Sequence, residues 1–125
     1  MSDTIATALN CMMNSKKARK NACVVRGSKL LMNLFTLMKK YGYLKDFKIQ
    51  DEDIMEIKVE FGKLNECKAI KPRFYVTVKE IERYVRRYLP ARDFGFVIIS
   101  TNQGLLTHNE AIEKKIGGSL IAYFF

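Results

Sequence analysis

The sequence predicts an α+β protein of two small lobes: an N-terminal α-β-α-β-β lobe and a C-terminal lobe that is mainly β with short helices. Two observations lead to this prediction. In the first half, segments with helical apolar spacing are interleaved with segments of strand-like alternation. In the last quarter, two apolar runs flank one short helical segment. A chain of 125 residues suits two such lobes, which we place at residues 1–62 and 72–125, joined by a junction at 63–71.

Two helices are predicted in the N-terminal lobe. The first is capped by Ser2 or Asp3 and has apolar residues at helical spacing, namely Ile5, Ala8, Leu9, Met12 and Met13. A polar, basic loop follows at residues 14–21. The second helix is capped by Ser28 and ended by Gly42. One face of this helix is apolar and carries Leu30, Leu31, Leu34, Phe35, Met38 and Tyr41.

Three strands complete that lobe. The first is a short β-branched segment at residues 22–26. The second, at 44–49, is followed by an acidic turn at 51–53. The third, at 55–61, alternates apolar and charged residues and is therefore a half-buried strand.

The C-terminal lobe is predicted to begin with a strand around Phe74–Val78 and a helix at 79–89 that stops before Pro90. An apolar strand then runs from Phe94 to Ile99 and ends in a polar loop. Beyond that loop, a capping box between Thr107 and Glu110 opens a short helix. A closing strand at 120–125 follows the helix.

Positive charge is concentrated at the start of the chain. The net charge is +9, and nine basic residues between Thr4 and Lys45 have no acidic residue among them, whereas the remainder balances thirteen basic against thirteen acidic residues. A surface that merely faces water usually mixes both signs, so this stretch predicts a polyanionic partner. The candidates for phosphate contacts are Lys16, Lys17 and Lys20.

Several other functions are not expected. Cys11, Cys23 and Cys67 are widely spaced and far in sequence from the single histidine, so we expect buried, reduced thiols in a cytosolic protein and no metal site. The apolar runs are far shorter than the roughly 20 residues of a membrane span. The beginning of the chain lacks the pattern of a secretory signal. We therefore expect no membrane partner.

Catalysis is not expected either. His108 follows a helix cap, where a solvated surface histidine is common, and Glu110 is already engaged in the capping box. The acidic turn at 51–53 lacks the glycine and distal glutamate of a calcium loop. Phosphate-loop and nucleophile motifs are missing from the sequence. These observations predict no enzyme activity, no cofactor and no small-molecule substrate.

RNA binding is better supported, because the polar loop at residues 100–104 leaves a buried strand. Its donors and acceptors suit base edges, sugars and 2′-hydroxyls, and Gly104 allows close backbone approach or a positive φ. The four hydrogen-bonding side chains are Ser100, Thr101, Asn102 and Gln103. A plain polar turn explains the loop as well, and Gly117 and Gly118 can equally be a helix C-cap and the turn after it.

The order and spacing of these motifs resemble the small-subunit ribosomal protein S8 family in its archaeal and eukaryotic form. The resemblance covers nearly the whole chain and is strongest over Phe94–Gly104, Thr107–Ala111, Gly117-Gly118 and the terminal Phe124-Phe125. Further pieces are Ser28-Lys29, Lys40–Tyr43, Pro72–Phe74 and Leu89-Pro90. Asn102-Gln103 stands where the family usually has a small or basic pair.

The resemblance implies a two-lobed protein that binds the central domain of small-subunit rRNA, next to other small-subunit ribosomal proteins of a cytosolic ribosome. In the family, the C-terminal loop reads an irregular internal loop of an RNA stem, a role that falls here on Ser100, Thr101 and Gly104. Around that site lie Glu110, Gly117 and Gly118. The N-terminal contacts fall on Asn14, Ser28 and Lys29. The alternative is a regulatory RNA-binding protein that acts off the ribosome.

Overall fold

A computed structural model describes residues 4–70, 74–90 and 94–125. The chain folds as two compact units, Met1–Cys67 and Lys68–Phe125. The elements of the first are α1 (Thr4–Lys17), β1 (Ala22–Arg26), α2 (Lys29–Lys40), β2 (Leu44–Asp51) and β3 (Glu56–Phe61). Along the chain there follow β4 (Cys67–Ala69), β5 (Tyr75–Val76), α3 (Val78–Tyr88), β6 (Phe96–Thr101), β7 (Gly104–Thr107), α4 (His108–Lys114) and β8 (Gly118–Phe124). The predicted α+β class, with its α-β-α-β-β first lobe, is confirmed.

The first unit is an antiparallel three-stranded sheet covered by two helices. Its strand order is β1-β3-β2, with Val25 opposite Ile57 and Cys23 opposite Val59. Inward-facing residues such as Ile57 and Val59 are fully buried, as the period-two alternation predicts. The helices contribute buried Ile5, Ala8, Leu9 and Met12 from α1 and Leu31, Leu34, Phe35 and Met38 from α2.

The helix boundaries in this unit differ from prediction at one place. The predicted loop at 14–21 begins too early, because α1 continues to Lys17 before Arg19 turns the chain at φ 60°. Nothing in residues 14–17 breaks a helix, and lysines are favourable in a last helical turn. Ser28 caps α2 as predicted, and Gly42 follows that helix at φ 83°. Ser2 and Asp3 lie outside the described residues.

The turn between β2 and β3 is displaced relative to prediction. β2 extends to Asp51, and the turn occupies residues 52–55, with Met55 at φ 52°. Met55 is therefore a turn residue rather than the first residue of β3. The Asp51 carboxylate accepts from the Asp53 backbone N–H at 3.0 Å, which is the local bond by which aspartate favours turns.

The second unit consists of a five-stranded sheet with two helices packed against it. The five-stranded sheet has the order β4-β8-β6-β7, and β5 also pairs with β8. Helices α3 and α4 contribute Ile81, Val85 and Ala111 to a core that also contains Val97 and Ile99. The predicted junction at 63–71 contains β4, and the lobe limits 1–62 and 72–125 stay a prediction.

Three predictions for the second unit were wrong in detail. Val78 is the first residue of α3 and not a strand residue, because Thr77 caps the helix. The strand β7 was missed, since its residues were assigned to a loop. Helix α4 ends at Lys115 in the left-handed conformation (φ 57°, ψ 43°), so Gly117 is not its C-cap.

Candidate nucleic-acid interface

The polar segment at residues 100–104 is a tight hairpin and not an extended loop. β6 and β7 pair from Ile98 opposite Thr107 to Thr101 opposite Gly104, which leaves only Asn102 and Gln103 as the turn. The prediction of a loop failed because Ser100 and Thr101 still belong to the strand ladder. The hydrogen-bonding groups are therefore presented by backbone that the sheet already holds in place.

Thr101 stabilises this hairpin with its own side chain. Its hydroxyl donates to the Gly104 carbonyl at 2.9 Å and accepts from the Gln103 backbone N–H at 3.1 Å. Gly104 adopts φ 102°, a conformation that L side chains rarely take, while the space around it is open. Gly104 is thus required by the backbone conformation of the hairpin and not by a close neighbour.

The double glycine allows strands to approach closely. A Cβ on Gly117 would lie 2.5 Å from the Val76 carbonyl oxygen, and one on Gly118 would overlap the Ser100 carbonyl oxygen. This finding replaces the helix-cap interpretation of the pair, because Lys115 already ends the helix. Gly118 thereby fixes the position of Ser100 through direct backbone contact.

These elements enclose a depression of about 490 Å³ on the second unit. It brings together six residues that the sequence predicted, Ser100, Thr101, Asn102, Gln103, Gly117 and Gly118. Sequence reasoning missed four further lining residues, Tyr75, Lys115, Ile116 and Ser119. Two other predicted site residues, Gly104 and Glu110, are not among the described residues that line the depression.

Tyr75, Ser119 and Ser100 form one row across three adjacent strands. Tyr75 is opposite Ser119, and Ser119 is opposite Ser100. Directly opposed residues in an antiparallel sheet point to the same face, so a ring and two hydroxyls share one surface. The Tyr75 side chain is 67% exposed. Its outward position was visible in the sequence, because Tyr75 lies between the apolar positions Phe74 and Val76.

Glu110 and His108 form hydrogen bonds at the start of α4 and do not line the depression. The Glu110 backbone N–H donates to the Thr107 hydroxyl at 3.3 Å, and that hydroxyl donates to the Glu110 carboxylate at 3.2 Å. The prediction that His108 is a solvated surface residue was wrong, since it is only 3% exposed. Its Nδ1 accepts from the Val97 backbone N–H at 3.2 Å, which joins the start of α4 to β6.

A second depression, of about 510 Å³, lies on the first unit, and Lys20 is its one basic lining residue. Asn14 and Lys20 both line it, as do Thr7, Asn10, Cys11, Ser15 and Ala18. Lys17, the last residue of α1, is exposed. The Lys16 ammonium lies 5.8 Å from the centre of the Phe61 ring. Of the three predicted phosphate-binding lysines, only Lys20 lines this polar surface.

Ser28 and Lys29 lie apart from that depression. The strand β1, five residues long, separates Lys20 from Ser28, which corresponds to about 16 Å of extended chain. The Ser28 hydroxyl accepts from the Leu31 backbone N–H at 3.3 Å, and Lys29 is exposed in the first turn of α2. The structure therefore places these two residues at the opposite end of β1 from Lys20.

The cysteines are free thiols. Burial raises the pKa of Cys67 to about 12 and that of Cys23 to about 11, so both are neutral at physiological pH. Cys11 is only partly buried, which differs from the expectation for all three. In the part of the chain that the structure describes, no group of three or more potential metal ligands comes together. Among the same residues, no helix is long and apolar enough to cross a membrane.

Comparison with known proteins places the chain in a family. The family described as "Ribosomal protein S8" matches residues 3–125. The chain is also similar to the small ribosomal subunit protein uS8 of Archaeoglobus fulgidus, with 38% identity over 129 residues that cover 98% of both chains. The family match spans both units, from residue 3 to residue 125. The chain therefore belongs to the ribosomal protein S8 family.

Proposed function

We propose that this protein is a structural constituent of the small ribosomal subunit that binds the central domain of the small-subunit rRNA. The observation that carries the proposal is the depression on the second unit, which gathers six residues predicted from the sequence into one surface. Family membership supports the same function. Neighbouring small-subunit proteins and a cytosolic ribosome belong to the proposal, as does binding without catalysis.

The hairpin provides specificity in this proposal. Serine and threonine hydroxyls can both donate and accept hydrogen bonds, which suits base edges and 2′-hydroxyls of an irregular stem. Thr101 uses its hydroxyl inside the hairpin, so it orders the surface, while Ser100 faces the depression. Tyr75 offers an exposed ring on which an unstacked base can stack. Lys115 supplies a positive charge at the rim.

In this proposal, the first unit provides binding affinity that does not depend on the nucleotide sequence of the RNA. Lys16, Lys17 and Lys20 lie at the end of α1 or just beyond it, where phosphates can be neutralised with release of counterions. Phosphate contacts orient a protein on RNA, and contacts to bases select the site. The end of α1 and the depression on the second unit thus have different tasks in one binding event.

Substitutions at Ser100 and Thr101 test this assignment. On a stem from the central domain, Ser100→Ala is expected to cost about 1–3 kcal/mol of binding free energy, with little change on an unrelated hairpin. Thr101→Val, which lacks the hydroxyl, should also weaken the cognate complex, while Thr101→Ser should retain it. Filter binding on both RNAs measures this. Equal losses on the two RNAs would show that the hairpin does not read the stem.

Sedimentation separates a ribosomal role from the regulatory alternative. A tagged copy of the chain should sediment with small subunits in a one-to-one ratio and remain there in high salt. Stem binding without such sedimentation would instead indicate an RNA-binding regulator that acts off the ribosome.

A further inference from the structure

The second unit carries a positive charge of its own that the first third of the chain does not explain. Residues 68–125 contain ten basic and five acidic side chains, while residues 46–67 contain three basic and seven acidic ones. The overall balance beyond Lys45 therefore hides a basic second unit. The depression accounts for only one of these basic residues, Lys115.

A row of cations runs along the exposed face of α3. Lys79, Arg83 and Arg87 follow one another at intervals of four residues, so their side chains emerge about 6 Å apart along the helix axis. All three are exposed. Like charges at this spacing destabilise a helix, so folding alone does not account for the row.

Tyr84 organises the two arginines of this row. The Arg83 guanidinium lies 5.2 Å from the centre of the Tyr84 ring, and the Arg87 guanidinium lies 5.5 Å from the same centre. The ring itself packs edge-on against Phe74 at 4.9 Å, which fixes its position. Two planar guanidinium groups are therefore held beside one anchored ring.

The charges of the row are only partly neutralised. Arg83 pairs with Glu80 at 3.1 Å, but this bridge is at the surface and its arginine side chain is 69% exposed. Among the residues that the structure describes, no carboxylate pairs with Arg87. Guanidinium groups bind phosphate oxygens through two parallel hydrogen bonds, which an ammonium cannot do.

The row is separate from the depression, because none of its residues lines the depression. α3 packs against the face that carries Val97 and Ile99, through its own Ile81 and Val85. Ser100 follows Ile99 in the same strand, and successive strand residues point to opposite faces. The Ser100 side chain in the depression therefore points away from the face on which α3 packs.

We propose that Lys79, Arg83 and Arg87, with Tyr84, form a second RNA-binding surface that contacts the phosphate backbone of an rRNA segment other than the stem in the depression. The inference rests on the proposed function, because it assigns a second contact to the same rRNA. Charge complementarity and the use of two arginines beside a fixed aromatic ring favour a phosphate backbone as the occupant. The second unit thereby contacts two RNA elements.

The test compares the full-length wild-type chain with Arg83→Gln/Arg87→Gln on two RNAs. Binding to the isolated central-domain stem should be unchanged, which also shows that the variant is folded. Binding to the complete small-subunit rRNA should be about tenfold weaker. The slope of log affinity against log salt should fall by roughly 1.4–1.8, since each lost phosphate contact removes about 0.7–0.9. A matched control is Lys48→Gln/Lys58→Gln, which removes two exposed charges of a cross-strand pair in the first unit.

Three other outcomes of this test would each contradict one part of the proposal. Equal losses for the arginine variant and the lysine control would show a general charge effect and no surface on α3. Unchanged rRNA binding combined with loss from assembled subunits would assign the row to an acidic protein neighbour. If the wild-type chain does not bind the stem, the proposed function itself fails, independently of α3.

Discussion

Gly118→Ala is the substitution whose effect the structure predicts most directly. A Cβ at this position would lie 2.8 Å from Ile99 Cγ2, would overlap the Ser100 carbonyl oxygen and would lie 3.0 Å from the Ser100 carbonyl carbon. Backbone atoms of a central strand cannot rotate away, so β6 and β8 must separate. Overpacking of this kind costs about 1–3 kcal/mol of the free energy of unfolding.

The same displacement moves Ser100 within the depression. We therefore expect Gly118→Ala to weaken binding to the cognate stem beyond its effect on an unrelated RNA. Urea unfolding monitored by circular dichroism measures the free energy of unfolding. Filter binding on both RNAs measures the specificity.

Gly27→Ala is a matched control in the first unit. Its Cβ would lie 2.5 Å from Ile57 Cδ1 and 3.2 Å from Leu31 Cδ2, which are ends of side chains that can rotate. We expect a loss below about 1 kcal/mol, because alanine also restricts the unfolded chain, and unchanged discrimination between the RNAs. Equal destabilisation by the two substitutions, or full retention of stability and specificity by Gly118→Ala, would refute the steric argument.

Two further predictions concern Tyr75 and Glu80. Tyr75→Ala should reduce the binding free energy for the cognate stem by about 1–3 kcal/mol, as expected for the loss of one stacked base. Tyr75→Phe keeps the ring and should retain the affinity in the same filter-binding assay. Equal losses for the two substitutions would exclude stacking on Tyr75. Bonds from the Thr77 backbone N–H and hydroxyl lower the pKa of the Glu80 carboxyl below its ordinary 4.5. A lowered pKa in the folded state stabilises the protein above the ordinary value and ceases to do so as the pH falls through the folded pKa. Wild-type unfolding between pH 7 and 3 should therefore be more acid-sensitive than that of Glu80→Gln, and identical profiles would contradict this cause.

Local signals were sufficient for many elements. Ser28 before an apolar helical face, and Thr107 three residues before Glu110, each define a helix start through bonds within one turn. The capping residue Thr77, three residues before Glu80, has the same signature and could have been found in the same way. The hairpin was missed because its turn residues, Asn102 and Gln103, lack the glycine of the common two-residue turns.

The sequence by itself determined the α+β class, the family and six residues that line the depression on the second unit, because these depend on periodicity, caps and the order of motifs. The tertiary structure alone decided that Tyr75 and Lys115 join that surface, that His108 is buried and that Gly118 contacts Ser100. Each of these facts depends on which strands become neighbours in the sheet. Strand pairing brings together residues that are far apart in the chain. A local sequence pattern does not indicate which distant segment a strand will pair with.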